Sequence, residues 1–291
     1  MAMFELLMSQ AFNGLVTGMG LVLVAIGLSI IFGMLRIINF AHGVFYAVGV
    51  YLAFSLTLAT GNFFFGLFGS AILTGLLGIL VEMGLLRPLY GEDPHYHLLL
   101  LFGLALIFEE GIAIIWGLEG RTTNPPALLQ GTVDLGFTKV ALYRLFLIAF
   151  TAVLVLLIWL FLRTTKYGAI IRAGVEWPEM VECLGINIRK LFTIGFGVGV
   201  AMAAIAGTLM TPLVTIEPLM GNSILVESFV VVVLGGLGNF RGALFGGLFV
   251  GLVMNLTAIV SPEFSNTVIF VFMAAFLLLK PEGLFGGKGV V

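Results

Sequence analysis

The chain is poor in almost everything a soluble enzyme uses. Of its 291 residues only 10% are charged, one is cysteine and three are histidine. The single cysteine, Cys183, excludes an internal disulfide and a cysteine-rich metal site. With 13 basic and 15 acidic residues the net charge is −2, so there is no basic face for nucleic acid. No basic n-region precedes the first apolar run, so a cleavable signal peptide is not expected. A Gly-x-x-x-x-Gly-Lys-Ser/Thr phosphate loop is missing, as is a His-Glu-x-x-His metal motif. No metal or cofactor is expected, and no nucleophile–base set supports an enzyme.

What is there is hydrocarbon. Hydrophobic residues make up 60% of the chain, against roughly 45–50% in soluble domains. The apolar runs are continuous rather than alternating, which excludes a membrane β-barrel. The expected fold is all-α: a polytopic membrane protein forming one domain over residues 1–291.

A helix needs about 20 apolar residues to cross the hydrocarbon core. That length is met by Leu6–Leu35, by Ile37–Val81 broken at Ala59-Thr60-Gly61-Asn62, by Leu98–Leu118, Leu145–Leu162, Leu191–Ile216, Gly242–Pro262 and Phe264–Leu279. This predicts about eight spans. Ser228–Phe240 is short, ends in Gly235-Gly236-Leu237-Gly238, and reads as a glycine-broken segment that either crosses or re-enters.

Lys and Arg favour the cytoplasmic side of a membrane. If 164–190 is cytoplasmic and the broken segment crosses, that side receives Arg36, Arg87, Arg163, Lys166, Arg172, Arg189, Lys190, Arg241, Lys280 and Lys288. The other side receives Arg121, Lys139 and Arg144. The N-terminus is then outside, the C-terminus inside, and 119–140 an external loop. Within 164–190, Pro178 starts a short helix running to Gly185. Met180, Val181 and Leu184 are expected to be exposed on it, as a docking surface or an ordinary interfacial helix.

Two segments echo each other. Gly33 to Gly43 and Gly235 to Gly242 each run through a glycine break and Asn-Phe into a new helix. Such a pair suggests a weak internal repeat and a transporter's central pathway. Asn39, Phe40 and His42, and Asn239 with Phe240, are pathway candidates; a helix cap or loop tie suits Asn39 at least as well, and a backbone hydrogen bond is the favoured reading of His42. Glu109 and Glu110 are the costliest residues, since an acid in mid-membrane costs about 3 kcal/mol and is a functional candidate by default. A structural pairing of one of them is the alternative. Glu82, five residues before Arg87, suits a structural ion pair. Gly195, Gly197 and Gly199, Ala203 with Gly207, and Gly247 with Gly251 are read as close-packing positions.

These residues together resemble the permeases of branched-chain amino acid type ABC importers, most closely the smaller of their two paralogous subunits. The resemblance is carried by Ile38-Asn39-Phe40-Ala41-His42-Gly43, by Glu82 with Arg87-Pro88-Leu89, and by Tyr167-Gly168, Ile171-Arg172-Ala173 and Leu184-Gly185-Ile186-Asn187. It continues through Val233 to Gly238, Gly242-Ala243, Gly246-Gly247, and Lys280 to Gly286, collinearly over nearly the whole chain. It implies a multi-pass permease in a prokaryotic inner (plasma) membrane. A paralogous second permease, two cytoplasmic ATPases and a periplasmic or extracellular solute-binding protein are the implied partners, with lipid around them. Arg172, Glu176, Leu184, Gly185 and Asn187 would couple to the ATPases. Glu109-Glu110 and Arg241 depart from the family pattern, so the solute is a branched-chain amino acid or a relative such as urea, a short amide or a polar amino acid. A stand-alone channel or ion-coupled carrier is the competing class, and it gives the charged loop no task.

Overall fold

Seven helices are long and apolar enough to cross a membrane in the computed structural model, which describes residues 2–134, 136 and 138–286. They are α1 (Ala2–Leu35), α2 (His42–Thr60), α3 (Phe63–Val81), α4 (Pro94–Trp116), α5 (Leu142–Thr164), α8 (Ile188–Met210) and α10 (Phe240–Val260). Two shorter apolar helices, α9 (Met220–Gly235) and α11 (Val268–Leu279), complete the bundle. The short helices α6 (Lys166–Glu176) and α7 (Pro178–Cys183) lie between α5 and α8. The expected eighth span, Phe264–Leu279, loses its start to a 3-10 turn at Pro262–Phe264, leaving a helix of 12 residues.

Polar residues set the helix boundaries. Gly61 takes φ +68° and ends α2, and the next residue, Asn62, starts α3 by accepting from the Phe64 and Phe65 amides at 2.9 and 3.2 Å. Asp93, followed by Pro94, starts α4. Asn187 and Asn239 start α8 and α10 in the same manner, accepting from the amides of Lys190 and Gly242 at 3.1 and 3.0 Å. Each side-chain oxygen satisfies a donor that the first helical turn leaves unpaired.

Segment 228–240 is not a separate element. α9 begins eight residues earlier than expected, at Met220, and runs through Glu227. Its last carbonyls are met by the C-terminal stretch: the amides of Leu284 and Phe285 donate to Leu234 and Gly235 at 2.8 and 3.1 Å. The chain then turns through Gly238, φ +76°, into α10.

Small residues let the central helices touch backbone to backbone, which supports association where hydrocarbon gives no hydrophobic drive. A Cβ on Gly251 of α10 would come 2.4 Å from the Cα of Gly18 of α1. One on Gly199 of α8 would come 2.7 Å from the Gly27 carbonyl. Gly197 of α8 lies against Gly75 of α3, and Gly207 against Tyr46 and Val50 of α2. The small-residue positions read from the sequence therefore do pack helices. α1 is buried along most of its length, whereas α4 and α5 present most of their side chains outward.

The two echo segments meet in space. α1–break–α2 and α9–break–α10 pack against each other, and their breaks abut: a Cβ on Gly238 would come 3.2 Å from Gly33 Cα. The helix ends bearing Arg36, Arg87, Arg163, Arg189, Arg241 and Lys280 gather at this end, here called the basic end. Lys288 lies outside the described residues.

Candidate functional site

At the basic end the first echo segment is enclosed at Asn39 and His42, whereas Arg36 and Ile38 are exposed. Asn39 is fully buried, and its Oδ1 accepts from the Ala41 amide at 3.1 Å. His42 is fully buried too, with Nε2 placed 3.1 Å from the Val24 carbonyl. Phe40 packs its ring 5.7 Å from that of Phe229 on α9. In the second segment Asn239 caps α10 and donates to the Phe285 carbonyl at 3.0 Å, while Phe240 is buried. The structure thus brings both segments to one end of the bundle, where cap and backbone bonds hold Asn39, His42 and Asn239.

Beside them lies a buried polar cluster. Glu82, fully buried, sits in a π-helical turn (Glu82–Leu86) that extends α3. Arg87 donates to its Oε2 at 3.1 Å and also reaches Thr193 on α8. Tyr90 donates to its Oε1 at 2.7 Å. Burial first, and then the bond to Glu82, push the Tyr90 hydroxyl up from its usual value, so it remains a donor. Arg87, held by that carboxylate, so ties the end of α3 to α8.

The segment joining α5 to α8 follows the expected outline with one correction. α7 starts at Pro178 and closes at Gly185, which takes φ +79°. Met180 and Leu184 are exposed, but Val181 is buried at 3%, because α7 is amphipathic and turns that side onto the bundle. Glu176, Leu184, Gly185 and Asn187 are exposed, whereas Arg172 is half-buried. A hollow of about 670 Å³ opens beside this segment, and one of about 510 Å³ lies between the first break and the Tyr90–Leu98 stretch; Arg36 and Phe192 line both. Arg36 adopts φ +54°, unusual for a residue with a Cβ.

Glu109 and Glu110 lie toward the other end of α4. Glu109 accepts from Asn222 Nδ2 on α9 at 3.0 Å, and Glu110 is exposed. Neither lines a cavity with the glycine breaks.

The structure instead reveals an acid that the sequence reading passed over. Glu227 stands midway along α9, on the wall of a cavity of about 390 Å³ between α1, α2, α9 and α10. Gly20, Leu21, Tyr46 and Met254 form its buried floor, and Thr215, Glu217 and Ser223 its exposed rim. The rim is braced by the loop after α4: Arg121 and Ile216 exchange both backbone hydrogen bonds, at 3.0 and 2.8 Å. Tyr46 is 3% exposed and Glu227 half-buried, and neither has a hydrogen-bond partner among the described residues. The available signal is an acid one residue before the apolar run Ser228–Phe240, where a charge marks the boundary of the run.

The profile of the family described as "Branched-chain amino acid transport system / permease component" matches residues 10–277. The chain is 30% identical over 97% of its length, and 96% of the relative's, to the high-affinity branched-chain amino acid transport system permease protein LivH of Escherichia coli (strain K12). It is 30% identical over 96% of its length, and 95% of the relative's, to the corresponding protein BraD of Pseudomonas aeruginosa. A partial match, 30% identity over 50% of this chain and 47% of the relative, joins it to a probable permease LivM of Methanocaldococcus jannaschii. No solved structure matches. Full-length coverage, the apolar helices and the paired glycine breaks agree, and the chain belongs to the branched-chain amino acid transport permease family.

Proposed function

We propose that this chain works as one half of a permease pair in an ATP-driven importer, with the basic end in the cytoplasm. The observation that carries this is the α6–α7 segment: a charged surface element that leaves Trp177, Met180 and Leu184 63–75% exposed beyond the ends of the spans. A stand-alone carrier has no use for such a surface, whereas a cytoplasmic ATPase that must push on the bundle needs one. Arg172, Glu176, Leu184, Gly185 and Asn187 are its coupling positions. α7 leans on α6 and α8, and α8 contacts α1, α2 and α3, so displacement there reaches the centre.

The match to both LivH-type and LivM-type relatives supports a second, paralogous permease as partner. Two ATPases at the basic end and a solute-binding protein at the opposite end complete the assembly. By the relatives' printed names, the solute is a branched-chain amino acid. In this arrangement the cavity at Glu227 opens toward the side of delivery, and the abutting glycine breaks, with Asn39, Phe40, His42, Asn239 and Phe240, close the cytoplasmic side. The inserted complex with Leu184→Glu is expected to keep its assembly in the membrane and lose substrate-stimulated ATP hydrolysis. Undiminished coupled hydrolysis would remove the docking assignment.

A further inference from the structure

We propose that the cavity at Glu227 is a solute site that takes a compact, apolar molecule by an ammonium group, with Glu227 as the contacting carboxylate. This rests on the permease reading and adds to it a site and the residue that recognises the solute.

The cavity is built in two halves. One half is polar: Thr17, Tyr46, Ser223 and Glu227 bring three hydroxyls and a carboxylate. The other is apolar and soft, with Leu21, Ile224 and the thioethers of Met210, Met220 and Met254. Methionine side chains repack around differing aliphatic shapes at low cost. A volume of about 390 Å³ lies within the range of small-molecule sites, which combine an apolar wall with a few placed polar groups.

The charge is one-sided. Glu227 on the wall and Glu217 on the rim are both acids, and no lysine, arginine or histidine among the described residues lines the cavity. A carboxylate inside an apolar bundle is costly unless something pairs it, and no group among the described residues pairs Glu227. A cationic or N–H-bearing solute supplies that partner, and a free anion does not. Tyr46, over nine-tenths buried, has a hydroxyl that no other described residue engages, so it is available to the same end of the solute. The Asn222–Glu109 bond, by contrast, satisfies that acid without a ligand.

The test uses the assembled importer in lipid nanodiscs, with Thr215→Cys as a rim label in a Cys183→Ser background. Labelling by a small methanethiosulfonate is timed with L-leucine, L-leucinamide (ammonium, no carboxylate) or 4-methylpentanoate (carboxylate, no ammonium). Leucine and leucinamide are expected to slow labelling, and 4-methylpentanoate to leave it unchanged. Glu227→Gln is expected to raise the half-protecting concentration about tenfold or more, the usual scale for a lost charge-assisted hydrogen bond. If that variant does not assemble, Tyr46→Phe should raise it about fivefold, as for a neutral hydrogen bond. Protection by 4-methylpentanoate equal to that by leucinamide, absence of protection, or unchanged protection in the variants overturns the site. ATP-driven leucine uptake is measured in parallel. Uptake without protection refutes this site alone, whereas solute movement by the purified chain without ATPases refutes the importer reading.

Discussion

Asn222 on α9 donates a hydrogen bond to the Glu109 carboxylate on α4 at 3.0 Å, joining a peripheral helix to the helix that carries Glu227. This gives Glu109 a structural task. Glu109→Gln keeps an acceptor oxygen and is expected to preserve transport and thermal stability. Glu109→Leu removes the acceptor and should cost about 1 kcal/mol, seen as a lower melting temperature in detergent. A transport defect in Glu109→Gln with normal expression would return this acid to the pathway.

Glu82 is fully buried and depends on Arg87 and Tyr90. Arg87→Ala leaves that carboxylate without its counter-charge, a change that typically costs about 3–5 kcal/mol. The expected result is loss of folded protein after solubilisation. Glu82→Gln combined with Arg87→Ala removes the stranded charge and should recover part of the loss. A double variant no better than Arg87→Ala would show that Arg87 acts through Thr193 instead.

Two glycines should respond in opposite directions to alanine. At Gly251 the new Cβ meets Gly18 at 2.4 Å on helix α1, and overpacking of this kind costs about 1–3 kcal/mol. At Gly111, in mid-helix on α4, nothing lies within 4 Å, and alanine should be neutral or gain about 0.5–1 kcal/mol from lower backbone entropy. Melting temperatures of the two variants check both signs.

Cys183 is exposed at the basic end, at the close of α7. A membrane-impermeant maleimide is expected to leave it unlabelled in intact cells and to label it after permeabilisation. Labelling in intact cells would invert the proposed orientation and place the docking segment outside.

Much of this protein is legible in one dimension because the bilayer is a simple solvent. Hydrocarbon demands long apolar helices with satisfied backbones, so run length alone marks α1 to α5, α8 and α10. Caps such as Asn62 and Asn187 act on amides two or three residues away, and they read directly. Close packing at Gly247 and Gly251 shows as small-residue spacing. The short helix at Pro178 shows as its Pro start and Gly stop. The paired breaks show as a repeated pattern, and family membership follows from collinear motifs.

Other features depend on neighbours far along the chain. Whether an acid in a span is paired or faces a cavity turns on which helix stands opposite. Glu109 meets Asn222, 113 positions on, while Glu227 has no hydrogen-bond partner among the described residues. Val181 and Met180 are adjacent, and only the bundle beneath α7 decides that one is buried. The sequence by itself determined a helical membrane bundle, its basic end, its glycine breaks and its family, because those rest on local hydropathy, caps and spacing. The tertiary structure alone decided that Asn39 and His42 are enclosed by backbone contacts and that Glu227 and Tyr46 share a cavity, because burial and pairing belong to helices meeting in space.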